Sequence, residues 1–354
     1  MIGTRPELIK MGVLITELKK RNSSHLYIHS GQHYDYHMEA IVSDIFQLPK
    51  PDYHLSVGSG SHATTTAKIM IELEQIFLKE KIDTVIVHGD TNTTLGACLA
   101  AAKVLIPVAH VEAGLRSYDK SMPEEINRIL VDNMSTYLFT PTIIASNNLK
   151  KEGITNGIYY TGQSIVDAIE YIKNYKGLNV LETYKLAPKS YFFITIHRQE
   201  NTDNHTRFTS IISAILELAE QKTFKLVISM HPRTKKILKE HNLYQTLLNN
   251  AYILVLDPPP NFYESIKLQS FAKLVMTDSG GLQEESCIIG TPCITLRENT
   301  ERPETIQCGA NLLSGYQKDK ILNAVQTSIL KQNNWTHPYG KNGVSGKILD
   351  IILN

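Results

Sequence analysis

Three acidic side chains stand at positions from which they could transfer protons. Asp90 comes shortly after the apolar run at residues 84–87, and Glu112 directly follows the run at residues 108–111. Glu124 opens the helical stretch that comes next. Several carboxylates in one desolvated place raise the pKa of at least one of them, which supplies an acid or a base at neutral pH. Their positions at successive strand ends therefore predict a site of proton transfer.

Each of these carboxylates also has a structural interpretation. Asp90 could cap the helix that follows it, although residues 91–93 could do the same. Glu124 and its neighbour Glu125 could simply favour the positive end of a helix. That explanation covers Glu112 poorly, because a carboxylate that leaves a buried strand pairs, caps or reacts. Both interpretations of Asp90 stay open, and either Glu124 or Glu125 could join the site.

A second group of residues could bind a phosphate. The apolar run at residues 274–277 is soon followed by Ser279, Gly280 and Gly281, where a helix begins. Two glycines let backbone N–H groups approach an anion closely, and the helix N-terminus is positive. Glu285, one turn further along, could accept hydrogen bonds from a ribose. A tight turn between strand and helix is the alternative, and the double glycine favours the phosphate.

Four cationic or imidazole side chains could complete a site for a diphosphate. Arg5 and Lys10 belong to a helix start, and Arg302 resembles Arg5 in being followed by proline and glutamate. His197 ends a strand. The alternatives are solvated cations on a capped helix, a surface salt bridge and a hydrogen-bonded structural histidine.

The elements that must position these residues alternate between short apolar runs and amphipathic stretches, which predicts parallel, doubly wound α/β sheets. The predicted strands are residues 26–29, 84–87, 108–111, 137–140, 191–196, 225–229, 253–256, 274–277 and 292–296, and the predicted helices are residues 8–18, 65–78, 93–104, 125–134, 164–172, 208–219 and 282–289. We expect one domain at residues 1–168, a second at 169–336 and a final helix at 337–354. In such folds ligands bind at the carboxyl ends of the strands.

Composition narrows the class of function. A formal net charge of +1 over 354 residues gives no strong field for nucleic acid or an anionic membrane. The chain has four cysteines, but their spacing matches no zinc site, so we expect thiols in a reducing cytoplasm and no bound metal. No apolar run reaches the roughly 20 residues of a membrane helix.

Nine segments in order are similar to the non-hydrolysing UDP-N-acetylglucosamine 2-epimerase family. They read GTRPELIK, GQHYDYHM, HGDTNTT, HVEAGLRS, PEEINR, HRQEN, HPRT, TDSGGLQEE and TERPET. The resemblance implies a GT-B-like arrangement of two Rossmann-like domains, with the active site in the interdomain cleft and the last helix returning to the first domain. It also implies a homodimer that needs no metal or nicotinamide.

The implied reaction interconverts UDP-GlcNAc and UDP-ManNAc, through elimination of UDP to a 2-acetamidoglucal and re-addition, and supplies ManNAc-derived sugars for polysaccharides. The resemblance assigns acid and base roles to Asp90, Glu112, Glu124 and His197. It assigns substrate binding to Arg5, Lys10, His197, Ser279, Gly280, Gly281, Glu285 and Arg302, with Glu285 on the ribose.

Two departures from the family qualify these expectations. Only Met1 and Ile2 stand before GTRP, where the family has an apolar strand, and we expect a late or shortened start. Restoring about six upstream codons should raise stability, since each buried apolar side chain contributes about 1.5–3 kcal/mol; equal melting temperatures would contradict this. Asp35 and Met38 replace residues associated with an activator site, which puts activation by UDP-GlcNAc in doubt.

Other functions remain open at this point. They are a sister epimerase for another UDP-2-acetamido sugar, a hydrolysing epimerase, a GT-B glycosyltransferase and a nucleotide-sugar sensor without activity. The three carboxylates favour elimination chemistry over transfer or sensing.

Overall fold

The predicted apolar runs become parallel strands in the computed structural model, which describes residues 1–32, 36–58 and 60–354 and, of these, the side chains of all but residues 36–38. Every one of the nine runs contains a strand. The chain divides into a first unit, Met1–Asn174 with Tyr339–Asn354, and a second unit, Tyr175–Pro338. The prediction of an α/β fold with parallel sheets is confirmed.

The first unit contains a four-stranded and a two-stranded parallel sheet. Its strands are β1 (Ile28–His29), β2 (Tyr53–His54), β3 (Val85–His88), β4 (Val108–Val111), β5 (Tyr137–Thr140) and β6 (Ile158–Tyr160). Its helices are α1 (Arg5–Lys20), α2 (Tyr36–Phe46), α3 (His62–Lys79), α4 (Asn92–Lys103), α5 (Pro123–Met134), α6 (Ile143–Lys151), α7 (Ile165–Asn174) and α17 (Val344–Ile352). The sheet orders are β3-β4-β5-β6 and β1-β2, and α17 packs on α1 and α7.

Ile2 lies between the two sheets of the first unit. It forms a parallel bridge with His29 of β1, while the Met1 amine donates a 3.0 Å hydrogen bond to the Ile86 carbonyl of β3. Burial lowers the pKa of that amine to about 6. Beside these residues is an apolar groove of about 410 Å³, with walls that include Leu14 and Ile352. Residues 3–5 therefore follow Ile2 at the point where the strand order reverses. Such a topological switch point is where α/β folds bind ligands.

The second unit is built around one six-stranded parallel sheet. Its strands are β7 (Tyr191–Thr195), β8 (Lys225–Ser229), β9 (Ile253–Leu256), β10 (Leu274–Thr277), β11 (Cys293–Thr295) and β12 (Asn311–Leu313). Its helices are α8 (Val180–Thr183), α9 (Gln199–Thr202), α10 (His205–Glu220), α11 (Pro232–Glu240), α12 (Tyr244–Leu248), α13 (Phe262–Phe271), α14 (Gly280–Ile289), α15 (Pro303–Gln307) and α16 (Lys318–Leu330). The strand order is β12-β11-β10-β7-β8-β9.

This order sets the topological switch point of the second unit between β7 and β10. The two strands are paired in parallel from Phe192–Leu274 to Thr195–Thr277. Phe192, Ile194 and Met276 are among the buried side chains of the core around them. Because strands buried on both faces hold their register tightly, the loops after β7 and β10 emerge side by side. These loops carry His197 and the Ser-Gly-Gly turn.

Candidate active site

A buried carboxylate fixes the start of α1. Glu7 is 3% exposed and accepts hydrogen bonds from the backbone N–H groups of Gly3 and Thr4, at 2.7 and 2.8 Å. Its other oxygen accepts a 2.7 Å bond from the hydroxyl of Thr91, in the turn after β3. Glu7 therefore ties the helix start to the loop of Asp90, and Arg5 at the first helical position is left exposed.

Glycine is required at position 3 because two neighbouring side chains lie very close to its Cα. A Cβ added there would lie 2.0 Å from the Thr93 hydroxyl oxygen and 2.4 Å from that of Ser30. Because neither atom can move without breaking their 2.8 Å hydrogen bond, we expect Gly3→Ala to lower the free energy of unfolding by about 3 kcal/mol. The denaturation midpoint measures this. Gly60→Ala is the matched control, since its added Cβ has its nearest contact at 3.4 Å; equal loss in both variants would contradict the steric explanation.

Asp90 is held from the side of α5. The Arg128 guanidinium donates to its carboxylate at 2.5 Å, and the Asn127 amide donates to its backbone carbonyl at 2.8 Å. Arg128 also contacts Glu125 at 3.0 Å, and Glu125 accepts the backbone N–H of Ser117 at 2.8 Å. Burial opposes ionisation of Glu125, but these hydrogen bonds hold its pKa below the usual value. Glu125 thus binds the backbone of the loop at Ser117. Of the two adjacent glutamates, Glu124 is therefore the one that lies beside Asp90.

Asp90 and Glu124 line the same cavity. It has a volume of about 320 Å³, within the range of small-ligand sites. The other residues along its wall are Thr4, Gln32, Gly60, His62, Thr65, Thr91, Asn92, Pro123 and Asn127. The Asp90 side chain is 26% exposed and Glu124 is exposed. Two predicted carboxylates therefore meet at one cavity, at the carboxyl end of β3.

Glu112 has a different environment at the end of β4. It is 8% exposed and its φ of 75° is in the left-handed region, which costs a side chain other than glycine about 1–3 kcal/mol. Its carboxylate accepts a short hydrogen bond from Lys10 and a 2.6 Å bond from the Gln163 amide. The structure thus pairs Lys10 with Glu112, an arrangement that the sequence interpretation did not contain.

His88 is a polar side chain that the sequence analysis did not select. Its Nε2 lies 3.4 Å from the Glu112 carboxylate, and within the described residues neither ring nitrogen has a hydrogen-bond partner. The residue is only 4% exposed. Because a buried imidazole is costly without a polar neighbour, the close carboxylate is favourable for the ring, and His88 helps to position Glu112. Its place at the last position of β3, two residues before Asp90, was the available signal.

A buried network of ion pairs and hydrogen bonds lies next to the ends of β3 and β4. His110 is fully buried between the Asp132 carboxylate at 2.7 Å and the Gly89 carbonyl at 2.8 Å. Arg116 donates to the same Asp132 at 2.7 Å and to Glu152 at 2.6 Å. Because each charged group has an opposite partner, the network can stay ionised in the interior. It holds the backbone next to Asp90 in place.

In the second unit, Asp278 joins the ends of β7 and β10. It is completely buried and accepts the backbone N–H groups of His197 and Arg198, each at 3.0 Å, and the Asn201 amide at 3.1 Å. Although burial alone would raise the pKa of Asp278, hydrogen bonding to His197 and these donors lowers it. His197 Nδ1 lies 3.2 Å from the carboxylate. Asp278 therefore orients His197, which is one-third exposed.

The Ser-Gly-Gly turn forms the N-terminus of α14. Ser279 is the N-cap residue, but its hydroxyl makes no capping hydrogen bond. The helix therefore begins with the backbone N–H groups of Gly280 and Gly281, which that side chain does not cap. Uncapped N–H groups at a helix start attract anions. Glu285, one turn along, accepts a 2.6 Å bond from the Gln269 amide. The phosphate cradle stays a prediction, and this turn supplies the helix N-terminus that it needs.

Arg302 lies in a buried ion pair. Its Nε is 2.5 Å from the Glu284 carboxylate, and the two residues are 7% and 1% exposed. Glu301 lies nearby and contacts Arg198 at 2.9 Å and Arg297 at 2.7 Å. Burial would raise the pKa of Glu301, but the neighbouring guanidinium groups lower it to about 2. The side chain of Arg198, 34% exposed, is the more accessible cation beside the turn.

Three further expectations concern metals, membranes and activation. Within the described parts of the chain, no group of three or more potential ligands could hold a metal ion, and no helix is long and apolar enough to cross a membrane. The expectation based on Asp35 and the Met38 side chain lies outside the described residues.

Comparison with known proteins identifies relatives along the whole chain. The family model described as UDP-N-acetylglucosamine 2-epimerase matches residues 16–353. The UDP-N-acetylglucosamine 2-epimerase of Methanocaldococcus jannaschii is 47% identical over 100% of this chain and 97% of its own length. The crystal structure of that enzyme with UDP-GlcNAc and UDP has a TM-score of 0.90 at 46% identity, covering 99% of this chain and 98% of the other.

Two more distant matches bear on specificity and fold. A UDP-2,3-diacetamido-2,3-dideoxy-D-glucuronate 2-epimerase of Pseudomonas aeruginosa is 39% identical over 94% of this chain and 92% of its own length. A structure of the glycotransferase of kitacinnamycin has a TM-score of 0.62 at 12% identity, covering 100% of this chain and 93% of that one. The latter match supports a shared glycosyltransferase-like fold and nothing about activity.

Proposed function

The chain belongs to the UDP-N-acetylglucosamine 2-epimerase family, and we propose that it interconverts UDP-GlcNAc and UDP-ManNAc by eliminating and re-adding UDP. The protein is an isomerase. In the proposed reaction a base removes the proton from carbon 2 while the bond between carbon 1 and the UDP oxygen breaks. The resulting 2-acetamidoglucal takes UDP back at carbon 1, and an acid returns a proton to the opposite face of carbon 2.

The observation that carries this proposal is the meeting of Asp90 and Glu124 at one cavity. Epimerisation needs proton transfer on two faces of one carbon, so two carboxylates on different elements suit it better than one. General acid–base groups of this kind contribute roughly 10²–10⁴-fold to a rate. We assign Asp90, Glu124 and Glu112 to proton transfer, with Lys10 and His88 positioning Glu112.

We assign the UDP moiety to the second unit. The departing diphosphate gains negative charge as the sugar bond breaks, and preorganised N–H groups and cations stabilise such charge strongly. The N–H groups of Gly280 and Gly281 with Ser279 would hold the diphosphate, and His197 and Arg198 would face the leaving oxygen. Glu285 would accept the ribose hydroxyls. Arg302 would act through Glu284 of α14, whose carboxylate lies 2.5 Å from the Arg302 Nε.

The closest alternative is a different sugar on the same UDP. The relative from Pseudomonas aeruginosa, named for a diacetamido-glucuronate, shares 39% identity. That sugar carries a carboxylate, which a lysine or arginine in the sugar site would bind most strongly. The wall of the Asp90 cavity contains no lysine or arginine among its described residues. We therefore favour the neutral N-acetylglucosamine.

Product analysis tests the assignment. The purified enzyme is incubated with UDP-GlcNAc, and the products are followed by NMR. We expect an equilibrium mixture that contains UDP-ManNAc. Free ManNAc with UDP would indicate a hydrolysing epimerase instead, and a mixture that forms only from the diacetamido-glucuronate substrate would assign the other sugar.

Replacement of Gly281 tests the phosphate cradle. A Cβ added at Gly281 has its nearest contact at 3.8 Å, the Ser279 hydroxyl, so Gly281→Ala fits the fold. We expect the same melting temperature but a roughly tenfold or greater loss of UDP affinity in calorimetry, because the methyl group blocks close approach of the diphosphate. Gly346→Ala in α17, whose added Cβ meets only the end of Arg21 at 3.3 Å, is the control. Unchanged UDP affinity in Gly281→Ala would place the diphosphate elsewhere.

We further propose a cytoplasmic homodimer. The four free cysteines suit a reducing compartment. Large apolar side chains are exposed on two helices of the first unit that both pack on α4, namely Ile71 and Leu78 on α3 and Ile126 and Leu130 on α5. Such exposure is typical of subunit interfaces, and sedimentation equilibrium would measure the state.

A further inference from the structure

Two sulfur atoms lie side by side in the second unit. The Sγ atoms of Cys287 and Cys308 are 3.6 Å apart, and both residues are free thiols. Cys287 belongs to the last turn of α14, and Cys308 is the residue that ends α15. A disulfide has an S–S length of about 2.05 Å. A relative movement of the two helix ends by about 1.5 Å would therefore allow the bond to form.

The two thiols differ in exposure and in acidity. Cys287 is 1% exposed, whereas Cys308 is only half-buried and is the more accessible of the two residues. The contact with the Cys287 sulfur lowers the pKa of Cys308, against the effect of burial and with help from the N–H groups of Ala310 and of Cys308 itself. The same contact, together with burial, raises the pKa of Cys287. Low pKa, access and a neighbouring thiol are the features of redox-active cysteines.

The other two cysteines provide the contrast. Burial raises the pKa of Cys98 and of Cys293 to about 12. Cys98 is 0% exposed and Cys293 is 1% exposed. Because the thiolate is the reactive form, both should be inert toward a mild oxidant.

We propose that Cys308 and Cys287 form a reversible disulfide site, in which Cys308 is the attacking thiol and Cys287 the resolving one. The Cys308 thiolate attacks one sulfur of a low-molecular-weight disulfide and releases one thiolate. Cys287 then gives up its proton and attacks the Cys308 sulfur, which releases the second. Two protein thiols are oxidised to one disulfide, and the small disulfide is reduced to two thiols.

The bond would act on the proposed UDP site, and this step rests on the proposed function. α14 begins with Gly280 and Gly281, and Arg302, which precedes α15, is already paired with Glu284 in α14. Drawing the C-terminal ends of the two helices together tilts α14 and displaces the cradle at its start. Displacements near 1 Å cost roughly 10²-fold in a well-aligned site. Oxidation should therefore weaken UDP binding and slow turnover.

The experiment treats the full-length enzyme with oxidised glutathione and maps the products by peptide mass spectrometry. We expect a Cys287–Cys308 disulfide that dithiothreitol removes. Cys287→Ser should stop at a glutathione adduct on Cys308, and Cys308→Ser should remain unmodified. Cys98→Ala is the control and should form the disulfide as the parent does. Melting temperatures are measured to check that each variant is folded. Cys308→Ala is used in place of Cys308→Ser if the serine variant is not folded.

UDP affinity is then measured by calorimetry before oxidation, after it and after reduction. We expect a loss of roughly tenfold or more on oxidation, with full recovery. No disulfide in the folded parent, or first modification at Cys98 or Cys293, would overturn the site. A disulfide with unchanged UDP affinity would contradict the proposed effect of oxidation on UDP binding. Failure of the reduced enzyme to bind UDP would instead refute the proposed function, so the two failures are distinguishable.

Discussion

Asp90→Asn is expected to abolish epimerisation while the protein still binds UDP. The amide keeps the shape of the carboxylate and can still face Arg128 at 2.5 Å, but it cannot accept a proton from carbon 2. Loss of a general base lowers the rate by roughly 10²–10⁴-fold. The measurement is turnover of UDP-GlcNAc followed by NMR, with UDP affinity from calorimetry on the same preparation.

Asp119→Asn is the matched control for that variant. Asp119 is an exposed carboxylate of the first unit that accepts hydrogen bonds from Ser121, at 2.9 Å from its N–H and 2.6 Å from its hydroxyl. Its replacement should leave turnover unchanged. A near-normal rate in Asp90→Asn would remove Asp90 from the acid–base role, and lost UDP affinity would indicate that the variant acts on binding.

Lys10→Met is expected to destabilise the first unit and to impair Glu112. The side chains of Lys10 and Glu112 are 12% and 7% exposed, so removal of the lysine takes a cationic partner away from a buried carboxylate. Breaking such a pair costs about 3–5 kcal/mol. Without the lysine, the ionised form of Glu112 loses the favourable interaction with an opposite charge. If ionised Glu112 is needed, the acidic limb of the pH–rate profile moves to higher pH.

A double-mutant cycle separates the two effects of that change. In Lys10→Met with Glu112→Gln the buried charge is gone, so most of the lost stability should return, whereas activity should not. Denaturant unfolding and turnover are measured for the parent, both single variants and the double variant. Additive losses of stability would show that the two residues do not interact, and a single variant with normal turnover would remove its residue from the site.

The fold could be predicted where the sequence pattern was strong. All nine apolar runs contain strands because β-branched and aromatic residues in short runs suit sheets buried on both faces. Strands β2, β6 and β12 were not predicted. Each has only two or three residues, too few for a periodic pattern to show, and each depends on a neighbouring strand for its hydrogen bonds.

The site could be predicted at the level of the loops but less well at the level of the contacts. Strand ends located Asp90, Glu112 and His197, since parallel strands place their carboxyl ends along one edge. The partners came from far along the chain: Lys10 and Glu112 are 102 residues apart. No local pattern encodes such a pairing, nor the ion pair that buries Arg302.

Buried polar residues were the main omission of the sequence analysis. Glu7, Asp278 and His88 are each 4% exposed or less, and sequence-based reasoning assigns charged residues to the surface. Glu7 lies in the first turn of α1, and only the structure shows that it also binds the turn after β3. The positions of Asp278 and His88 at strand ends were visible in the sequence, but their roles as orienting groups depend on neighbours that only the fold brings near.

The central claim is proton exchange at carbon 2 of the sugar, and turnover in deuterated water tests it most directly. UDP-GlcNAc is incubated with the enzyme in D₂O, and NMR and mass spectrometry follow carbon 2. We predict one deuterium at carbon 2 of UDP-ManNAc and, as the reaction reverses, of recovered UDP-GlcNAc, with no label in the Asp90→Asn reaction. Formation of UDP-ManNAc with the original hydrogen retained at carbon 2 would contradict the account.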